Sequence, residues 1–145
     1  MWTIMDNAII YAHSSEKDIA LRKLMLNYQV AGMKLFGYRN RLNVMYVYRD
    51  TSSEQPELKR LISLAEQNKL RGVDYMLIYN WESISHTTGP VFDLVDLLYK
   101  KGIDVRPITD WNLEGPLSWL YRFKTGNRAE VRALKKKGIS WVKFE

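Results

Sequence analysis

Residues 8–16, Ala8-Ile9-Ile10-Tyr11-Ala12-His13-Ser14-Ser15-Glu16, run from an apolar stretch of strand length into a polar turn able to start a helix. The reading is strand, loop, helix. From about residue 17 to residue 36, Ile19, Leu21, Leu24, Met25, Tyr28, Val30, Met33 and Leu35 recur at mostly helical spacing, and the helix is expected to stop near Gly37. Val44-Met45-Tyr46-Val47-Tyr48 follows as a β-branched and aromatic strand. A polar loop over residues 49–55 then leads to Pro56, a residue suited to the first turn of a helix, and Leu58, Leu61, Ile62, Leu64 and Ala65 form that helix's apolar stripe.

Beyond Gly72, residues 73–79 form the longest strand candidate and run into a polar loop over residues 80–89. An amphipathic helix over residues 91–101 ends at Gly102, and residues 103–108 make a further strand. The alternation β-α-β-α-β-α-β predicts an α/β domain, three-layered, with a mainly parallel sheet of four or five strands flanked by helices. Ligand groups in such domains gather on loops beyond the carboxyl ends of the strands. Residues 12–16 and 80–86 are therefore the first places to look for a site.

At 145 residues, 46% apolar and 26% charged, the composition suits one globular domain. The chain has no cysteine, which excludes disulfides, thiolate catalysis and cysteine-ligated zinc. No stretch approaches the roughly 18 apolar residues of a membrane span, so no membrane partner is expected. Asp6 and Asn7 lie where a signal peptide would be basic then apolar, and the expected location is the cytoplasm. Charge is unevenly placed. Residues 121–145 carry eight Lys/Arg against two Glu, whereas residues 1–120 carry fourteen of each sign. The whole excess of +6 therefore sits in the tail, as a solvated basic face or as a set of phosphate contacts.

Three short words add chemistry to this pattern. Tyr11-Ala12-His13-Ser14-Ser15 closes the first strand; Asp50, then Gln55-Pro56-Glu57-Leu58-Lys59-Arg60-Leu61, opens the second helix; and Trp81-Glu82-Ser83-Ile84-Ser85-His86 follows the third strand. In order and spacing these words resemble the catalytic domain of the serine recombinases, the resolvase and invertase family. There the corresponding words are Tyr-Ala-Arg-x-Ser, an acid followed by Arg-Pro-x-Leu-x-x-Leu, and Leu-Asp-Arg-Leu-Ser-Arg. The resemblance spans roughly residues 8–110, including Leu94 to Val105, and implies a resolvase-like domain over residues 1–110.

In that family a serine hydroxyl attacks a DNA phosphate and becomes covalently joined to it, while arginines balance the charge that spreads over the phosphate oxygens. The resemblance places Ser15 at the nucleophile's position and keeps Glu82 as the acid. Family arginines are replaced by His13, Gln55, Ser83 and His86. Serine and glutamine carry no charge and histidine is mostly neutral at pH 7, whereas a guanidinium is always charged and donates in a fixed fork. Each lost clamp of this kind costs on the order of 10²–10³ in rate. The expectation is a degenerate active site in which Ser15 survives as a relic or as a helix N-cap. A His13–His86–carboxylate metal site using Glu82 or Asp50, or a Ser15–histidine pair for hydrolysis, can be written down, but neither has a sequence signature. No metal and no cofactor are expected.

Residues 111–145 read as a basic helical or arm segment without a helix-turn-helix. Arg128, Arg132, Lys135, Lys136 and Lys137 precede Gly138-Ile139, with Trp141 at the aromatic place of the family's arm. The stretch between Pro116 and Arg128 is shorter than the family's interface helix, and Gly126-Asn127 weakens a continuous helix there. The nearby aromatics Trp111, Trp119, Tyr121 and Phe123 suit a core or self-association better than base stacking. The function expected is that of a catalytically inactive, recombinase-like accessory protein. Its partners would be DNA through the tail, a full-length recombinase, or a second copy. The alternatives are a divergent recombinase that still cuts, and an interaction module unrelated to DNA.

Overall fold

A computed structural model of the chain describes residues 5–110. The elements in chain order are β1 (Asp6–His13), α1 (Ile19–Arg39), β2 (Leu42–Asp50), α2 (Pro56–Glu66), β3 (Tyr75–Ile78), a 3₁₀ turn (Trp81–Ser83), α3 (Thr88–Lys100), β4 (Asp104–Pro107) and a second 3₁₀ turn (Ile108–Asp110). The four described strands form one all-parallel sheet in the order β2-β1-β3-β4. The expected α/β class and strand order of events are therefore present.

Parallel strands buried on both faces read as continuous apolar runs. β1 is such a strand: Ala8, Ile9, Ile10, Tyr11 and Ala12 are all buried, and Met76, Leu77 and Ile78 of β3 beside it likewise. From β1 the chain steps outward to β2, then back past β1 to β3 and on to β4. Because parallel crossovers are right-handed, the reversal of direction puts α1 on one face and α2 with α3 on the other. Accordingly α2 and α3 touch each other, and α1 packs on β1 and β2. The switch of direction opens a crevice at the carboxyl ends of β1 and β3, where such sheets hold ligands.

Two expectations about α1 need correction. The helix does not stop at Gly37 but runs on to Arg39, with Asn40 as C-cap and Arg41 in the left-handed region (φ 56°). Gly37 is instead a point of close approach: a Cβ there would lie 3.0 Å from Val44 Cγ2, so the missing side chain lets the helix sit down on β2. The helix also starts later than expected. Its N-cap is Asp18, whose carboxylate accepts from Leu21 N at 3.0 Å, so Ser15 is not the cap. Finally, the face of α1 turned to the sheet is Leu26, Val30, Met33 and Gly37, whereas Leu21, Leu24, Tyr28 and Leu35 are exposed.

β2 carries a bulge: Ala8 pairs with Val44 but Ile9 pairs with Tyr46, leaving Met45 as the extra residue. Among the described residues no helix is long and apolar enough to cross a membrane. The basic segment 111–145, with Arg128, Arg132, Lys135, Lys136 and Lys137, lies outside the described residues.

Candidate functional site

The loops after β1 and β3 line an open cavity of about 540 Å³ at the crevice. His13, Ser15, Glu82, Ser83 and His86, drawn from two loops some seventy positions apart in the chain, line it together. Ser14, Glu16, Lys17, Met25, Gln29 and Asn80 complete the wall. Five of the seven positions singled out from sequence are thus brought together; the other two, Gln55 and Asp50, do not line the cavity and belong to a network behind it.

Local hydrogen bonds fix the first loop. The Gln29 carboxamide pairs with the His13 backbone as a neighbouring strand would, accepting from His13 N at 3.2 Å and donating to His13 O at 3.1 Å. Ser14 N donates to Asp50 O at 3.1 Å, extending the β1–β2 ladder by one residue. Ser14 is turned inward and buried, and its hydroxyl accepts from Glu16 N at 3.4 Å. That leaves Ser15 turned outward and exposed, its side chain on the cavity. The neighbouring His13 donates from Nε2 to Ser52 O at 2.9 Å; a carbonyl only accepts, so this nitrogen carries the proton and cannot take one from a serine.

The second loop is held by Asn80, whose side chain accepts from Ser83 N at 3.1 Å and from Ser83 Oγ at 3.4 Å. Ser83 is consequently buried and its hydroxyl committed to the turn, while Glu82 and His86 are exposed.

Behind the cavity lies a buried polar network. Asp50 is 1% exposed and does not line the cavity. Its carboxylate accepts from the Tyr11 hydroxyl at 2.7 Å, from Glu57 N at 2.9 Å and from Leu58 N at 3.0 Å. The acid at the end of β2 therefore serves as the anion that caps the first turn of α2, where free backbone N–H groups and the helix dipole favour negative charge. Gln55 donates from Nε2 to the Tyr11 hydroxyl at 3.1 Å and to Ser83 O at 3.0 Å. Its backbone is left-handed, φ 51°, immediately before Pro56, a conformation that aims the carboxamide inward at a cost of order 1 kcal/mol. Gln55 is thus a neutral amide that ties the wall of the cavity to the core.

Among the described residues the lining is poor in cations: one lysine, Lys17, stands with two glutamates, Glu16 and Glu82. Arg22 approaches the rim, donating from Nη1 to Glu16 O at 3.4 Å. Among the described residues no three His, Cys, Asp or Glu side chains converge as metal ligands.

Tyr11 and Gln29 organise the site, and the sequence alone did not single them out. An acid ending the neighbouring strand gives a faint signal for Tyr11; nothing in the sequence marks Gln29, whose role depends on which way α1 turns. Burial, and after it the Asp50 hydrogen bond, push the Tyr11 hydroxyl well above the ordinary phenol range, with the Gln55 amide pulling the other way. In the unfolded chain this tyrosine ionises near pH 10. Its raised native value thus contributes stability that is complete below about pH 10 and is lost as pH rises further. Tyr11→Phe is expected to make the alkaline fall in urea midpoint shallower between pH 9 and 11.5. Some fall persists, because burial also raises Tyr48 and Tyr75. An unchanged pH profile would mean that Tyr11 keeps no proton the unfolded chain loses.

No family model and no curated protein matches the chain. Solved structures do. The N-terminal catalytic domain of TP901-1 integrase superposes with a TM-score of 0.69 at 21% identity, covering 89% of this chain and 98% of that one. A resolvase family site-specific recombinase from Streptococcus pneumoniae gives 0.68 at 18% identity over 91% and 94%. The C-terminal catalytic domain of ISC1926 TnpA, an IS607-like serine recombinase, gives 0.60 at 20% identity over 92% and 99%. The fold is that of the serine recombinase catalytic domains.

Proposed function

We propose that this domain, built on the serine recombinase catalytic fold, acts by binding DNA or a full-length recombinase as an accessory protein of site-specific recombination, and does not cut DNA itself. The observation that carries this reading is the charge of the cavity. A phosphoryl-transfer site must offset negative charge spread over the phosphate oxygens, and among the described residues this one is lined by a single lysine and two glutamates. Gln55 and Ser83, at two of the family's arginine positions, are hydrogen-bonded into the framework and neutral. Attraction to DNA then rests with the tail, where Arg128, Arg132, Lys135, Lys136 and Lys137 concentrate the chain's excess charge.

One feature favours residual cutting as a second reading: Ser15 is exposed on the cavity, and Lys17 shares its wall. Retention of the purified chain on immobilised duplex DNA, with elution by rising salt, tests the leading reading. Binding at low salt that weakens steeply as salt rises is expected. A chain that flows through even at low salt would count against the DNA arm and leave recombinase binding, or an interaction role without DNA.

A further inference from the structure

The 31 residues from Ile19 to Arg49, which make α1, the turn after it and nearly all of β2, contain six Lys or Arg and no Asp or Glu. The even balance of charge over residues 1–120 therefore conceals a local asymmetry, with cations gathered along α1 and β2 and acids elsewhere. Lys34, Arg39, Arg41 and Arg49 are exposed. The ion pairs among the described residues, Arg60 with Glu57, Lys100 with Asp96 and Arg106 with Asp104, use none of them. β1 sets one acid against this strand, Asp6 beside Leu42 at its foot.

Aromatic side chains stand among these cations. Between α1 and β2 runs an open groove of about 400 Å³, whose lining includes Lys34, Tyr38, Val44, Met45 and Tyr46. Tyr38 is 83% exposed and Tyr46 58%, and the Tyr48 ring lies 6.3 Å from that of Tyr46. β2 is an outer strand of the described sheet, paired there to β1 alone. A strand rises about 3.3 Å per residue, so Arg41 and Arg49 mark the ends of a basic track roughly 25 Å long.

We infer that this groove binds single-stranded nucleic acid, with phosphates against Lys34, Arg41 and Arg49 and bases against the rings of Tyr38 and Tyr46. Cations that neutralise phosphates supply attraction regardless of sequence, and every base offers a face on which an aromatic ring can stack. A duplex keeps those faces inside its own stack, so exposed tyrosines along a strand edge select the single-stranded form. An added protein strand fits less well, because the bulge at Met45 interrupts the regular spacing of backbone groups that strand addition needs. An acidic peptide matches the charge but gives the rings nothing to stack on. The groove belongs to a different part of the chain from the basic tail proposed for duplex DNA, and the inference stands whether or not that tail binds.

Fluorescence anisotropy tests this on the full-length chain with Lys135, Lys136 and Lys137 changed to glutamine, which takes those tail contacts out of the comparison. The probes are a labelled oligo-dT of about ten nucleotides and a duplex of equal length. The single strand is expected to bind the more tightly. Y38A and Y46A, both at exposed positions, should each weaken it at least fivefold, the loss of about one stacked base, and leave the duplex unmoved. Y46F keeps the ring and should keep the affinity, which separates stacking from a folding defect. Changing Lys34 and Arg49 to glutamine should flatten the salt dependence on the single strand by about 0.7 for each. No preference for the single strand would overturn the inference, as would a Y46A loss equal on both probes, or Y46F as weak as Y46A. Displacement of the oligo-dT by polyglutamate at equal charge would also overturn it, and would assign the groove to an acidic protein partner.

Discussion

Asp50→Ala is expected to cost about 3–5 kcal/mol of stability, a large share of the roughly 5–15 kcal/mol that holds a domain of this size together. The side chain is buried and accepts three hydrogen bonds. Its removal orphans the Tyr11 hydroxyl in the centre of the sheet and two backbone N–H groups at the start of α2. Bonds to a charged acceptor contribute about 1.5–3 kcal/mol each, and an unpaired buried donor costs about 1–3 kcal/mol. Relaxation of the α2 N-terminus towards water recovers part of this. Asp50→Asn preserves volume but turns an amide N–H towards existing donors, so it should be nearly as harmful. Urea unfolding followed by circular dichroism measures both. A loss below 1 kcal/mol would mean that the Asp50–Tyr11–Gln55 network does not hold β1, β2 and α2 together.

Replacing Lys135, Lys136 and Lys137 together by glutamine is expected to remove most of the chain's affinity for duplex DNA at moderate salt. Each phosphate contact contributes about 0.9 to the slope of log affinity against log salt, so three lost contacts flatten it by up to about 2.7. The loss should be nearly equal on unrelated sequences, since phosphates carry no sequence information. Fluorescence anisotropy at several salt concentrations reads both quantities. A weaker affinity with an unchanged slope would indicate a folding defect, because Leu134 and Ile139 flank the triplet. An unchanged affinity would place DNA binding elsewhere or nowhere.

Much of the fold and the location of the cavity were legible in the sequence. Apolar runs at strand length separated by helical periodicity admit few topologies, and handed crossovers then put the loops after β1 and β3 side by side. Thus His13 and Ser15 could be placed near Glu82, Ser83 and His86 without coordinates. What stayed illegible was orientation. α1 is apolar on two sides, so periodicity alone could not tell that Leu26, Val30 and Met33 meet the sheet while Leu24 and Tyr28 face away. Gly37 read as a stop signal because a glycine near the end of a helical pattern usually is one; its role in close packing depends on where Val44 lies. Asp50 read as a member of the site because it ends a strand, yet the strand's last turn buries it under α2. Asp18 displaced Ser15 as the cap because the loop spends three further residues before the helix begins.

The most direct test of the central claim is a search for a phosphoserine bond to DNA. The full chain is incubated with supercoiled plasmid, stopped with denaturant, and assayed for covalently attached protein and for relaxed or linear DNA, with Ser15→Ala alongside. The cation-poor cavity predicts no adduct, no change of plasmid topology, and no difference between the two proteins. An adduct formed by the native chain and absent from Ser15→Ala would contradict it.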